Sequence, residues 1–315
     1  MKSLQRIIQR VDENPTRPWA LATLVQTQGS TYRKPGARML VDSDGGTLGV
    51  LSGGCLEEEI GRYGKDVIES GLPVLLDFDT KRLYGCDGQL KILLEPLLPG
   101  EPDGNLITDI GHLLSDRKIC RIRVCFEGDT LGSKPLGVDT LVAERQGILI
   151  DTVLPPIRLL LFGSGPEVEP IIQLAANLGW IFDLFSHPSQ LPEDFRPDAQ
   201  TAALIMNHNF GRDLLALDRL LSFQLRYVGL LGPRRRRAEL LTRLSEYRSG
   251  GWTTAFGNLF SPAGLDIGSE TPEEIALAIV SEVAAVLANR CGGSLRDRKI
   301  DIHATNVAVS GGEAA

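Results

Sequence analysis

After Pro155-Pro156 the chain settles into a pattern that leaves few choices of fold, because short apolar runs alternate with helical ones across glycine-bearing turns. Arg158 to Phe162 reads as a strand, and Gly163-Ser164-Gly165 turns into a helix carrying Val168, Ile171, Ile172, Ala175 and Leu178 on one face. Gly179 ends that helix, and Trp180 to Phe185 is the next strand. Ala202 to Met206 and Tyr227 to Leu231 repeat the strand pattern, with a helix around Asp213 to Leu221 between them. Strands that alternate with helices pair in parallel through right-handed crossovers, so a doubly wound parallel sheet is expected. A last helix starts at Thr271-Pro272-Glu273-Glu274, where threonine caps, proline takes the first turn and Glu274 closes a capping box. Ile275, Ile279, Val283 and Val286 form its apolar face.

The N-terminal part obeys a different rule. An amphipathic helix over residues 3–13 precedes strands at Trp19 to Gln26, Met39 to Val41 and Leu48 to Leu51, the last two joined by the hairpin-type turn Asp44-Gly45-Gly46. A helix from about Cys55 to Ser70 stops at Gly71, and strands Val74 to Phe78 and Gln89 to Leu94 flank the loop Tyr84-Gly85-Cys86-Asp87-Gly88. Pro96, Pro99 and Pro102 punctuate its end, and Leu106 to Leu114 (helix), Ile119 to Phe126 (strand) and Gly128 to Gly137 (loop) follow. Cys120 and Cys125 face opposite sides of that strand, cannot share a metal, and are expected in the core. The expected class is therefore α/β, with a mixed α/β N-terminal domain and a C-terminal Rossmann-like doubly wound parallel sheet. The expected divisions are residues 1–100, an extension or linker over 101–156, a Rossmann-like domain over 157–290, and a flexible tail over 291–315.

Composition narrows the class of protein. At 315 residues and 43% apolar, the chain can bury a core in each of two domains. A formal net charge of −7 argues against nonspecific nucleic-acid binding. Five cysteines without dense spacing do not make a disulfide framework. The charged, amphipathic start is unlike a signal peptide, and no apolar run spans a bilayer. These features read as a cytoplasmic protein with reduced thiols and neither nucleic-acid nor membrane partners.

One stretch concentrates chemistry: Leu51-Ser52-Gly53-Gly54-Cys55-Leu56-Glu57-Glu58-Glu59. It carries Cys55 from an apolar run to the start of a helix, where unpaired N–H groups and the dipole favour an anion. Gly53 and Gly54 let a ligand approach the backbone. The thiol can then be a nucleophile or a soft-metal ligand. The residues also allow a buried cysteine beside a tight turn. Nearby, Arg33, Lys34 and Arg38 surround Pro35 and Gly36 in a shaped basic loop. Paired with Cys55, that loop would join an anion clamp to a soft sulfur, which suits a ligand carrying phosphate and a soft transition metal.

The second half offers less. Gly163 and Gly165 are half of a dinucleotide fingerprint, with Val168 at the third glycine position. The second strand ends in Phe185-Ser186-His187-Pro188, without the acid expected for NAD or the basic residue expected for NADP. A scaffold without a nicotinamide cofactor is the favoured reading, and an NAD(P)-dependent oxidoreductase the alternative. Arg234 to Arg237 follow a strand at the carboxyl edge of the sheet, where one or two, Arg234 first, could clamp phosphate; for most of them a solvated first turn is the better account. His187 and His208 fall at strand ends near one crevice, and two histidines alone are weak evidence for a metal.

Several of these stretches together resemble the xanthine dehydrogenase accessory factors, the XdhC/CoxI family. They are Gly29-Ser30-Thr31-Tyr32-Arg33, Pro35-Gly36-Ala37-Arg38-Met39, Ser52-Gly53-Gly54-Cys55-Leu56-Glu57, Tyr227 to Arg236, and Gly264-Leu265-Asp266-Ile267-Gly268 leading to Thr271 to Leu277. The likeness covers roughly residues 15–98 and 158–300. It implies a chaperone without catalytic residues that binds molybdenum–molybdopterin, protects it, and presents it to a cysteine desulfurase-type sulfurtransferase. Delivery to a molybdenum hydroxylase such as xanthine dehydrogenase follows, and the resemblance admits a homodimer. Cys55 would be the metal-facing residue and Arg33 and Arg38 would meet the phosphate or pterin edge. The chain departs from the family where Ser186-His187-Pro188-Ser189 replaces Asp-His-Arg-Pro and Asn207-His208-Asn209-Phe210 replaces Thr-His-Asp-Phe. Those losses put any nucleotide or metal of that crevice in doubt.

Overall fold

The computed structural model describes residues 1–29, 31–79, 88–100, 105–137, 140, 145–247 and 257–299. The loop around Cys86 and most of the expected tail lie outside the described residues. The chain divides into two compact units, Met1–Pro155 and Pro156–Ala315.

In the first unit, β1 (Trp19–Gly29) is the middle of a five-stranded antiparallel sheet. It lies between β2 (Arg38–Val41), which leads to edge strand β3 (Thr47–Gly49), and β5 (Gly88–Leu97), which leads to edge strand β4 (Val74–Asp79). Both faces of β1 are covered, so its pattern is a continuous buried run rather than an alternation. Ala20, Ala22 and Leu24 pack with Leu56, Ile60 and Val67 of the segment forming helix α2 (Glu57–Ser70). Trp19, Leu21 and Val25 face the opposite way, onto Ile7 and Val11 of α1 (Lys2–Asp12) and Ile107 and Ile110 of α3 (Leu106–Ser115). Gly71 caps α2 in the left-handed conformation, as its sequence predicts. The third strand ends at Gly49, two residues short of the expected Leu51, which instead begins the turn to α2.

The stretch that reads least clearly in sequence builds a second, three-stranded antiparallel sheet. Here β6 (Cys120–Cys125) lies between β7 (Gly132–Leu136) and β8 (Ile148–Val153). Gly128 to Gly137, expected as a loop, therefore contains a strand, formed by pairing with β6 despite a glycine and a proline. Pro135 is tolerated because β7 is an edge. Along β6, Cys120, Ile122 and Val124 are buried, whereas Cys125 is only half-buried, a partial correction to its expected place in the core. Two polar links tie this sheet to the first. Asp151 of β8 pairs with Arg38 at 2.6 Å, and Glu95 of β5 accepts from the Ser133 N–H at 2.7 Å and hydroxyl at 2.6 Å.

The second unit is the parallel sheet that the alternation demands. Strand β9 (Arg158–Gly163) sits between β10 (Ile181–Phe185) and β11 (Thr201–Met206), and β11 continues to β12 (Val228–Leu230) and β13 (Leu259–Phe260). Its period of two is written in the cores. Leu160, Phe162, Ala203 and Ile205 face α5 (Phe210–Leu221) and α6 (Arg234–Tyr247), while Leu159, Leu161, Ala202 and Leu204 face α4 (Val168–Asn177) and α7 (Pro272–Leu287). The capping box at Thr271 and Glu274 is present. Two motif stretches also meet: the Tyr227 hydroxyl (2.7 Å) and the Gly264 N–H (2.8 Å) both donate to the Glu282 carboxylate on α7.

Candidate functional site

In the first unit, Leu51 is fully buried and ends the sheet's contribution, and α2 does not begin until Glu57. The corner between them is shaped by one carboxylate. Oε1 of Glu57 accepts from the N–H groups of Leu51 (3.0 Å) and Ser52 (2.9 Å), and Oε2 accepts from the Ser52 hydroxyl (2.7 Å) and the Leu56 N–H (3.1 Å). The Ser52 hydroxyl oxygen in turn accepts from the Leu56 N–H at 2.9 Å. Burial would raise the Glu57 carboxyl, but hydrogen bonds from Ser52 and Leu51 outweigh it and hold it below the usual carboxylate range. Of the three glutamates, Glu57 turns inward while Glu58 stays exposed, so the acidic run does not simply surround the thiol.

With both ends of the turn fixed, Gly53 and Gly54 adopt φ of +87° and +111°, which other residues adopt only with strain. Nothing stands within 4 Å of where a Cβ on Gly54 would be, so the backbone there is open to a ligand. Cys55 follows, free and exposed, which rules out the buried-cysteine reading. The ring of Tyr32 lies 3.5 Å from the Cβ position of Gly53, bringing the basic loop's first residues against the corner.

The basic residues are brought together, with unequal freedom. Arg33, Lys34 and Arg38 line a cavity of about 240 Å³ that Asp151 also borders and Cys55 does not. Arg38 is 6% exposed, donates to the Gly36 carbonyl at 3.1 Å and is ion-paired with Asp151 at 2.6 Å. Its charge is taken up in propping the loop, whereas Arg33 is half-buried and Lys34 exposed. Ser52 likewise serves the corner through Glu57. Asp151 and Glu57 are the residues that local sequence reading misses: one lies far along the chain, the other is masked by two identical neighbours.

In the second unit Gly163 has φ of +147°, and a Cβ there would collide with the Met206 carbonyl, so β9 and β11 are in close approach. Above Gly165 the space is already claimed. A Cβ would lie 2.6 Å from Oε2 of Glu167 and 3.1 Å from Nε2 of His208. A carboxylate beside this turn repels the pyrophosphate that a dinucleotide would place there. His208 has φ of +52°, a left-handed conformation uncommon outside glycine. His187 lies apart from it, lining a different cavity with Asp218 and Arg219. Arg234 is exposed at the first turn of α6 and Arg235 pairs with Glu239 at 2.8 Å. Arg236 is also engaged, by Asp213, at 3.0 Å from Nε and 2.5 Å from Nη2. Asp213 is 1% exposed and also accepts from the Asn207 side-chain N–H at 3.1 Å. Among the described residues no three His, Cys, Asp or Glu side chains are grouped to hold a metal, and no helix is long and apolar enough to cross a membrane.

Fold and corner together define a class: an antiparallel α/β unit that presents a cysteine on a glycine turn, followed by a Rossmann-like unit. Residues 14–79 match the model of the XdhC and CoxI family, and residues 159–283 match that of the XdhC Rossmann domain. The chain belongs to this family. A protein of Bacillus subtilis described as a probable xanthine dehydrogenase component is 27% identical over 310 residues, covering 84% of this chain and 91% of that protein. PaoD of Escherichia coli, a molybdenum cofactor insertion chaperone, is 27% identical over 284 residues, covering 84% of this chain and 82% of PaoD. A crystal structure described as a xanthine dehydrogenase from Bacillus halodurans superposes with a TM-score of 0.74 at 26% identity, covering 92% of this chain and 97% of that one.

Proposed function

We propose that the chain is a maturation factor for a molybdenum hydroxylase of the xanthine dehydrogenase type, and not itself a catalyst. It takes molybdenum–molybdopterin as cargo on the Cys55 corner and shields it. It presents the cofactor for sulfuration by a cysteine desulfurase-type sulfurtransferase and hands it on unconverted. The exposed Cys55 thiol, on a turn open above Gly54, carries this reading. A thiolate is a soft donor suited to molybdenum, and the glycines admit the bulk of a pterin. Arg33 faces the cofactor's phosphate, with Lys34 beside it. Arg38 and Ser52 act from behind, one through Asp151 and the other through Glu57. A reducing cytoplasm keeps the thiol available. Membership of the XdhC and CoxI family and the likeness to PaoD favour the same reading. The alternative, hydride transfer with NAD(P) at Gly163 and Gly165, is opposed by the Glu167 carboxylate in the phosphate position.

The test is the molybdenum and pterin content of the full chain purified from a molybdopterin-producing host, compared with Cys55→Ala. Near-stoichiometric cofactor in the parent and its loss from a folded variant are expected. Equal content in both would remove Cys55 from the site.

A further inference from the structure

The two sheet edges of the second unit are unlike. β13 is two residues long, whereas β10 presents a five-residue edge beyond which no strand lies among the described residues. Ile181 donates its N–H inward, to the Ile157 carbonyl. By the alternation of a parallel strand, the N–H and C=O groups of Phe182 and Leu184 therefore point outward, away from β9. The side chains along this edge are apolar and uncovered: Leu178 just past α4, Ile181, Phe182 and Leu184 keep 40–50% of their surface exposed. The strand's one charge does not guard it, since Asp183 is bound to Arg158 of β9 at 2.6 Å. Edges in the first unit are treated differently. There β3 is three residues long, β4 carries the exposed Asp77, β7 carries Lys134 and Pro135, and β8 exposes no large apolar side chain. Shortness, exposed charge and proline are defences against pairing with another chain, and β10 has none of them.

We infer that β10 is the seat of a homodimer, in which the same strand of a second copy adds antiparallel across a two-fold axis and joins two five-stranded sheets into one. An open ladder selects a strand as its occupant, and the order of side chains selects this one. Ile181-Phe182-Asp183-Leu184-Phe185 reads apolar, apolar, acid, apolar, apolar in either direction. Antiparallel pairing centred on Asp183 sets Phe182 opposite Leu184 of the second copy on one face, and Ile181 opposite Phe185 of the second copy on the other. Phe182 and Leu184 are also the residues with outward-pointing groups, so the same register exchanges both hydrogen bonds within each such pair. The two Asp183 carboxylates meet at the axis already paired with their own Arg158, and not as bare like charges. A standard interface buries roughly 800 Å² per partner, more than four half-exposed side chains supply, so the dimer is reversible and of micromolar strength. The contact lies wholly within the second unit and needs no cofactor, so it stands or falls apart from the Cys55 reading.

Sedimentation equilibrium of the full chain, purified without cofactor over a range of about 1–100 μM, spans the transition expected of such an interface. A monomer–dimer equilibrium is the expected result. Leu184→Lys and Phe182→Lys, each checked for native circular dichroism, should weaken it at least about tenfold, because each removes an apolar contact and buries an ammonium in its place. Both residues are exposed, so the variants fold. Leu215→Lys, at an exposed leucine on α5, should leave the equilibrium unchanged. Hydrogen exchange reads the ladder itself: the amides of Phe182 and Leu184 should be protected in concentrated samples and exchange freely on dilution. A chain monomeric at every concentration, a dimer indifferent to both edge substitutions, or fast exchange of those two amides within the dimer would overturn the inference.

Discussion

The Cys55 corner and the Gly165 corner use the same backbone device, a strand leaving its sheet through glycines into a helix, and differ in what engages the nearby acid. Glu57 collects hydrogen bonds from Leu51, Ser52 and Leu56, and so becomes part of the turn's framework. Glu167 gathers none at Oε2, which lies 4.0 Å from Nε2 of His208. The first corner therefore presents sulfur on a rigid frame, and the second buries its carboxylate beside an imidazole.

That contrast can be broken by substitution. Glu57→Ala strips partners from the backbone N–H groups of Leu51 and Ser52 and from the Ser52 hydroxyl, and should destabilise the first unit by about 2–3 kcal/mol, read from urea unfolding by circular dichroism. A shift near zero would mean the corner holds itself together. Acid should have a related effect with a definite sign. The folded-state pKa of Glu57 is lowered, so its stabilisation is full above the ordinary carboxylate range and is lost as pH falls through the lowered value. Glu57→Gln should accordingly show a flatter acid limb in a stability–pH profile, and an unchanged limb would contradict the hydrogen-bond account. Arg33→Ala should lower retention of the pterin by about tenfold, or about 1.4 kcal/mol, with folding intact; equilibrium dialysis against free molybdopterin measures it. Smallest of all, Glu167→Gln should leave stability within about 0.5 kcal/mol of the parent or raise it, because no hydrogen bond to Oε2 is lost. A loss as large as that for Glu57→Ala would erase the distinction between the two acids. Titration with NADH should give no saturable fluorescence change, since the carboxylate stands where the pyrophosphate would lie.

Much of the architecture is legible because the central strands of both five-stranded sheets are buried on two faces and their apolar runs are long. Four of the second unit's five strands and the Thr271 capping box read directly from pattern, whereas the two-residue β13 is too short to show one. Between the two, β7 was invisible because Gly132 and Pro135 have no strand preference; pairing with β6 makes it a strand. The roles of the basic residues were legible only in kind. Arg33 and Arg38 look equivalent in sequence, yet a contact 113 residues away, to Asp151, buries one and leaves the other half-exposed. Glu57 is indistinguishable from Glu58 and Glu59 until the turn is folded, and Glu167 reads as an ordinary residue near a helix start until Gly165 and His208 are seen beside it.

The most direct measurement is the ratio of molybdenum to protein in the full chain and in Cys55→Ser, both made with the cofactor present and both checked for native circular dichroism. An oxygen in place of sulfur leaves the corner's shape and Glu57 bonding untouched and removes only the soft donor. If sulfur holds the cargo, molybdenum and pterin fall together to background in the serine variant. Retention of both at the parent's level would contradict it.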